Sequence, residues 1–111
     1  MIVVDVETTG VDPRIASIVS IGAVDFTDPT RTFYEECRMW EGADVLKEAL
    51  AVNGMSREEV TDPNKKTEAA ITTMFLEWAL KAKNHTIAGQ NPFFDYEFIQ
   101  AACLRAEMAF P

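Results

Sequence analysis

The stretch MIVVDVETTG, residues 1–10, constrains this chain more than any other. Residues 2–7 are valine-rich and are closed by Thr8, Thr9 and Gly10, so they read as a strand ending in a turn. Successive side chains on a strand point to opposite faces. Ile2, Val4 and Val6 therefore share one side, and Met1, Val3, Asp5 and Glu7 the other. The second side begins apolar and finishes in two carboxylates. Like charges on one face of a central strand repel and resist burial. A divalent cation between them is the economical remedy, and magnesium or manganese suits carboxylate oxygens. The motif by itself also allows two solvated carboxylates at a strand end.

The rest of the chain supplies partners for that strand. Residues 14–26 are β-branched and read as a second strand, joined through the Gly10–Arg14 turn region and so expected to pair antiparallel. A turn is expected at Asp28-Pro29-Thr30, followed by an edge strand over residues 31–39. The period then changes. Val45, Leu46, Ala49 and Leu50 form a helical stripe, with Asp44 able to cap its start and Asn53-Gly54 to stop it. Ser56 and Glu59 have capping-box spacing. From Thr67 a longer amphipathic helix carries Ile71, Met74, Phe75, Trp78 and Ala82, positions that read as core. His85–Gly89 is a short strand, and Asn91 caps a helix whose first residue is Pro92. Phe94, Phe98 and Ala102 share one face of it. The fold class is α/β, with the first and fourth strands parallel across a helical crossover.

At 111 residues the chain is expected to form one domain. Eighteen acidic against ten basic residues give a net charge of −8, which argues against a broad basic nucleic-acid surface. A carboxylate cluster holding metal would invert that argument locally. No apolar run approaches the ~20 residues of a membrane span, and no basic-then-apolar leader precedes the first strand. Cys37 and Cys103 lie far apart, which fits free thiols in a reducing cytoplasm.

A second cluster, Asn91, Phe94 and Asp95, places a carboxylate in the first turn of the last helix. Taken together, DVETTG and AGQNPFFDYEF resemble the first and second motifs of the DEDD superfamily of 3′→5′ exonucleases, which includes proofreading subunits and ribonuclease T-like enzymes. IVSIGAVDF is similar to that family's second strand, and ALAVNGMSREEV to its helical element near the 3′-terminal nucleotide. The resemblance implies an RNase H-like mixed sheet with flanking helices. It also implies two Mg²⁺ or Mn²⁺ ions and hydrolysis of 3′-terminal phosphodiesters of single-stranded DNA or RNA ends. On that analogy Asp5, Glu7 and Asp95 are the catalytic and metal-binding residues, and Thr8, Thr9, Gly10 and Asn91 hold the substrate.

Two departures stand out. Gln90 occupies a position often taken by histidine in relatives, and the third motif, with its general base and fourth carboxylate, has no counterpart before Pro111. His85 precedes the second motif, and Glu107 is in the wrong context. The expectation is a single exonuclease-like domain over residues 1–111, shortened at its C-terminal end and lacking the family's last strand and helix. Little or no nuclease activity is expected from the chain alone, since a missing general base typically costs about 10²- to 10⁴-fold. A sheet edge left open could be covered by self-association or by a partner chain. The alternative function is a non-catalytic RNase H-like module that binds metal, nucleic acid or a partner.

Overall fold

The structure, a computed structural model, describes residues 1–108. Four strands form one sheet: β1 (Ile2–Thr8), β2 (Ile18–Asp25), β3 (Asp28–Glu36) and β4 (Ile87–Ala88). Their order is β3-β2-β1-β4. β1 pairs antiparallel with β2 and parallel with β4, and β2 pairs antiparallel with β3. Four helices accompany them: α1 (Lys47–Asn53), α2 (Arg57–Val60), α3 (Glu68–Leu80) and α4 (Pro92–Arg105). The mixed sheet expected from the sequence is the one observed.

Alternation on β1 is the organising fact. Ile2, Val4 and Val6 are buried, while Asp5 is exposed and Val3 and Glu7 are partly exposed. The buried side meets α3 and α4 through Ile71, Phe75, Phe98, Ile99 and Ala102. Phe75 stacks on Trp78 and meets Phe33 edge-on, which seals the core under β3. Burying side chains of this size stabilises by about 1.5–3 kcal/mol each before entropy is charged. Cys37 and Cys103 are free and buried, and burial pushes the Cys37 thiol up to about 12.

Several boundaries differ from expectation. The second strand starts at Ile18, because residues 14–17 serve a loop: Arg14 takes Asp12 as partner, and Ile15 and Ala16 donate to the Asp12 carbonyl. The hairpin turn is Phe26-Thr27, with Asp25 paired to Asp28. Asp28-Pro29-Thr30 thus opens β3, where an outer strand tolerates proline. Asp25 fixes that turn by accepting from the Thr27 hydroxyl and from Arg31. α1 begins at Lys47, with Leu46 at its N-cap and no side-chain cap. Asp44 is instead bound into the neighbouring loops, donating to Ile15 and accepting from Thr9. Gly54 ends α1 at φ 72°, a left-handed backbone that suits glycine. The Ser56/Glu59 capping box and the Asn91–Pro92 start are present, and Thr67 caps α3 by accepting from the Ala70 amide.

Candidate active site

β1 delivers Asp5 and Glu7 to the open face and end of the sheet, and α4 delivers Asp95 to the same place. The junction has a specific cause. β4 pairs with β1 only at Ile2 and Val3, so the amide of Val6 lies beyond the end of its neighbour. A buried backbone N–H must find an acceptor. Asp95 provides it, with Oδ1 3.0 Å from the Val6 nitrogen. Asp95 is only 4% exposed although ionisable.

Gly89 makes that approach feasible. A Cβ there would stand 2.6 Å from the Val4 carbonyl oxygen, and the carboxylate of Asp95 lies against the same spot. Asn91 then caps α4 by accepting from the Phe94 amide. Its side chain has a structural duty and still lines the cleft.

The three carboxylates open onto one depression of about 400 Å³, with Thr8, Gly10 and Asn91 in its wall. Among the described residues, no lysine or arginine lines it. Burial raises the pKa of Glu7, and the charges of Asp5 and Asp95 raise it further. Burial also raises that of Asp95; the Val6 N–H opposes the shift and the Asp5 charge adds to it. The cleft therefore concentrates negative charge without neutralising it. Among the described residues, no three or more Asp, Glu, His or Cys side chains stand close enough together to form a metal cage. The donors are all hard oxygens of the kind Mg²⁺ or Mn²⁺ accepts, but they surround an open cleft and are not gathered into a coordination shell.

The loop after β1 is held from several sides. Thr9 is fully buried; its hydroxyl donates to the Asp44 carbonyl and accepts from the Ser17 amide. Thr9 therefore braces the loop and is not presented to the cleft. The Thr8 hydroxyl donates to the Gly10 carbonyl. Asn53 was read from the sequence only as part of a helix stop. In the structure its side-chain amide donates to the Thr8 carbonyl, and it lines the cleft. The signal that could have found it is its place in ALAVNGMSREEV, the segment already similar to a nucleotide-proximal element.

His85 sits elsewhere. Its Nε2 lies 3.2 Å from the Leu80 carbonyl, in an apolar groove beside Ile2 at the opposite end of β1. Glu107 lies past the far end of α4, whose last residue, Arg105, is about 15 Å along the helix from Asp95 by its rise per residue. A further cavity of about 500 Å³ lies beside Trp40, Glu68 and Arg105. Glu68 and Arg105 there satisfy each other, and Arg38 also lines the cavity, so it is no comparable cluster of carboxylates.

Comparisons with known proteins agree with this fold. The whole chain, residues 1–111, matches a family profile described as the 3′-5′ exoribonuclease Rv2179c-like domain. A ribonuclease T of Marinobacter nauticus is 29% identical over 96% of this chain and 54% of its own length. A PolC-type DNA polymerase III of Thermotoga petrophila is 27% identical over 89% of this chain and 7% of its own length. The fold superposes on E. coli exonuclease I in complex with a dT13 oligonucleotide at a TM-score of 0.81, with 20% identity, covering 96% of this chain and 24% of that one. The chain thus spans about half or less of each of these relatives.

Proposed function

We propose, on the premise that this chain belongs to the Rv2179c-like family of 3′-5′ exoribonuclease domains, that its carboxylate cleft binds divalent metal and the 3′ end of a single-stranded nucleic acid. The observation that carries the reading is the meeting of Asp5, Glu7 and Asp95 at one cleft with no cation of the protein's own. Asp5 and Glu7 would hold the ion from β1, and Asp95 from α4. Bound there, Mg²⁺ or Mn²⁺ would supply charge neutralisation at a phosphodiester and acidify a water.

The chain's own groups support binding at a strand terminus. Thr8, Gly10 and Asn91 wall the cleft, and Asn53 holds the Thr8 carbonyl in place. The repulsion among the carboxylates keeps them ionised only at a cost, which a cation would relieve. RNA is the substrate class named for the family, and the bound oligonucleotide of the E. coli neighbour is DNA.

A second reading, binding without cleavage, rests on one observation. His85, the only histidine of the chain, faces the opposite end of β1. Hydrolysis by this chain alone is therefore expected to be weak. Calorimetric titration with Mn²⁺ should give binding heat for the wild type and none for Asp5→Ala/Asp95→Ala. Equal heats would remove the proposed metal site. Robust Mg²⁺-dependent release of nucleoside 5′-monophosphates, lost in Asp5→Ala, would decide for full catalysis over binding.

A further inference from the structure

The cleft does not end at β1. It continues over the uncovered face of the sheet as a depression of about 470 Å³ that shares Asp5, Glu7 and Asn53 with the first. Gly22, Tyr34 and Glu36 line its outer part. The strand register explains the continuity. Asp5 is paired with Gly22, and Gly22 with Tyr34, in one row. Glu7, Ser20 and Glu36 form the next row. Tyr34 thus stands two strand spacings, roughly 10 Å, from Asp5. A single strand leaving the carboxylates covers that distance within its first few nucleotides.

Tyr34 is 61% exposed. It is nevertheless held. Its hydroxyl donates to Glu36 Oε2 at 2.7 Å, and Glu36 is itself paired with Lys65 Nζ at 3.0 Å. A Cβ at Gly22 would lie 3.6 Å from the ring's Cδ1. The ring is therefore backed by the glycine strand, tied at its tip and open to solvent. Side-chain entropy has already been spent on fixing the ring, whose outer face stays open to solvent.

The charges around it select what can sit there. Glu36 and Glu59 line the depression along with Asp5 and Glu7, and no lysine or arginine does. Phosphates gain nothing from such a wall. Bases do: stacking on an aromatic ring is tolerant of sequence, and carboxylate oxygens accept from base amino groups.

We propose that Tyr34 is a positioning residue, a stacking platform for a base upstream of the penultimate nucleotide, which leads the substrate strand across β1, β2 and β3 with its bases toward the sheet. The proposal rests on the reading of the carboxylate cleft as the 3′-end site.

Fluorescence anisotropy of the 111-residue chain with 5′-labelled oligoadenylates in Mn²⁺ tests it, using a dinucleotide and a hexanucleotide whose integrity is checked on a gel. Tyr34→Ala should weaken hexanucleotide binding about 5- to 150-fold, the value of one base–aromatic stack, and leave the dinucleotide unaffected. Tyr34→Phe, which keeps the ring, should retain hexanucleotide affinity. Unchanged hexanucleotide binding by Tyr34→Ala would overturn the platform. So would an equal loss for both lengths. If Asp5→Ala abolishes binding of both probes in that case, the carboxylate site stands without the platform. If the wild-type chain binds neither probe, both readings fall.

Discussion

Asp95 carries two demands that conflict. Its carboxylate must accept the stranded Val6 N–H, and it must sit buried near Asp5. Burial and the Asp5 charge raise its pKa above the ordinary value, so the folded state holds the proton more tightly than the unfolded chain does. Its support for the fold is therefore complete below the unfolded pKa of about 4 and is lost as pH rises through the folded value. Glu7 acts in the same direction. In metal-free buffer, Asp95→Asn keeps an oxygen for Val6 and removes the charge. Its melting midpoint should exceed that of the wild type by a few degrees at pH 7, and the gap should close near pH 4. Mn²⁺ should raise the wild type and not the variant. A variant less stable than wild type by the same margin at both pH values would refute this account of the site.

At the scale of elements, the junction of β1, β4 and α4 does the positioning. β4 is only two residues long, and its shortness is what frees the Val6 amide for Asp95. The chain turns away at Gly89, against the Val4 carbonyl. Gly89→Ala brings a methyl into backbone that has no flexible group to yield, so β4 must leave β1 or α4 must shift. The expected cost is about 2–3 kcal/mol, in the range for overpacking a tight site, measured by urea unfolding. Mn²⁺ binding should weaken along with it. Little of this was legible in the sequence. AGQN announced a strand and a cap, but a glycine required by a contact 85 residues earlier in the chain leaves no local pattern. The boundary errors have similar causes. Asp44 carries good capping chemistry, yet Ile15 and Thr9 bind its backbone groups first. Asp28-Pro29 carries turn chemistry, yet Asp25, Thr27 and Arg31 close the hairpin two residues earlier.

At the scale of the molecule, the site depends on a buried ion pair on the other side of the sheet. Glu68 is 4% exposed and accepts from the Ile18 amide, the Ser17 hydroxyl and two nitrogens of Arg105. Arg105 also donates to the Pro13 carbonyl and lies 5.1 Å from the Trp40 ring centroid. The pair joins α3, the end of α4, the start of β2 and the loop after β1. The helix that delivers Asp95 and the loop after β1 that carries Gly10 are thus one mechanical unit. Removing one partner strands a charge. Glu68→Gln should cost about 3 kcal/mol, the lower end for breaking a buried pair. Glu68→Gln combined with Arg105→Met should cost less than the sum of the single changes. Strict additivity in urea unfolding would show that the pair is not coupled. Nothing local in the sequence singles out Glu68, because its partners lie 37 and 50 residues away along the chain.

The sequence alone determined the strand that starts apolar and ends acidic, the α/β order, the helix caps written in local spacing, and the three carboxylates. These follow from the two-residue and 3.6-residue periods and from cap chemistry, which act over a few neighbours. Only the tertiary structure decided that Asp95 reaches β1 through the Val6 amide, that Thr9 turns inward while Asn53 braces the cleft, and that Tyr34 shares a row with Asp5. Each of those depends on which distant backbone groups remain unpaired once the sheet has closed, and hydrogen-bond satisfaction is a property of the assembled chain.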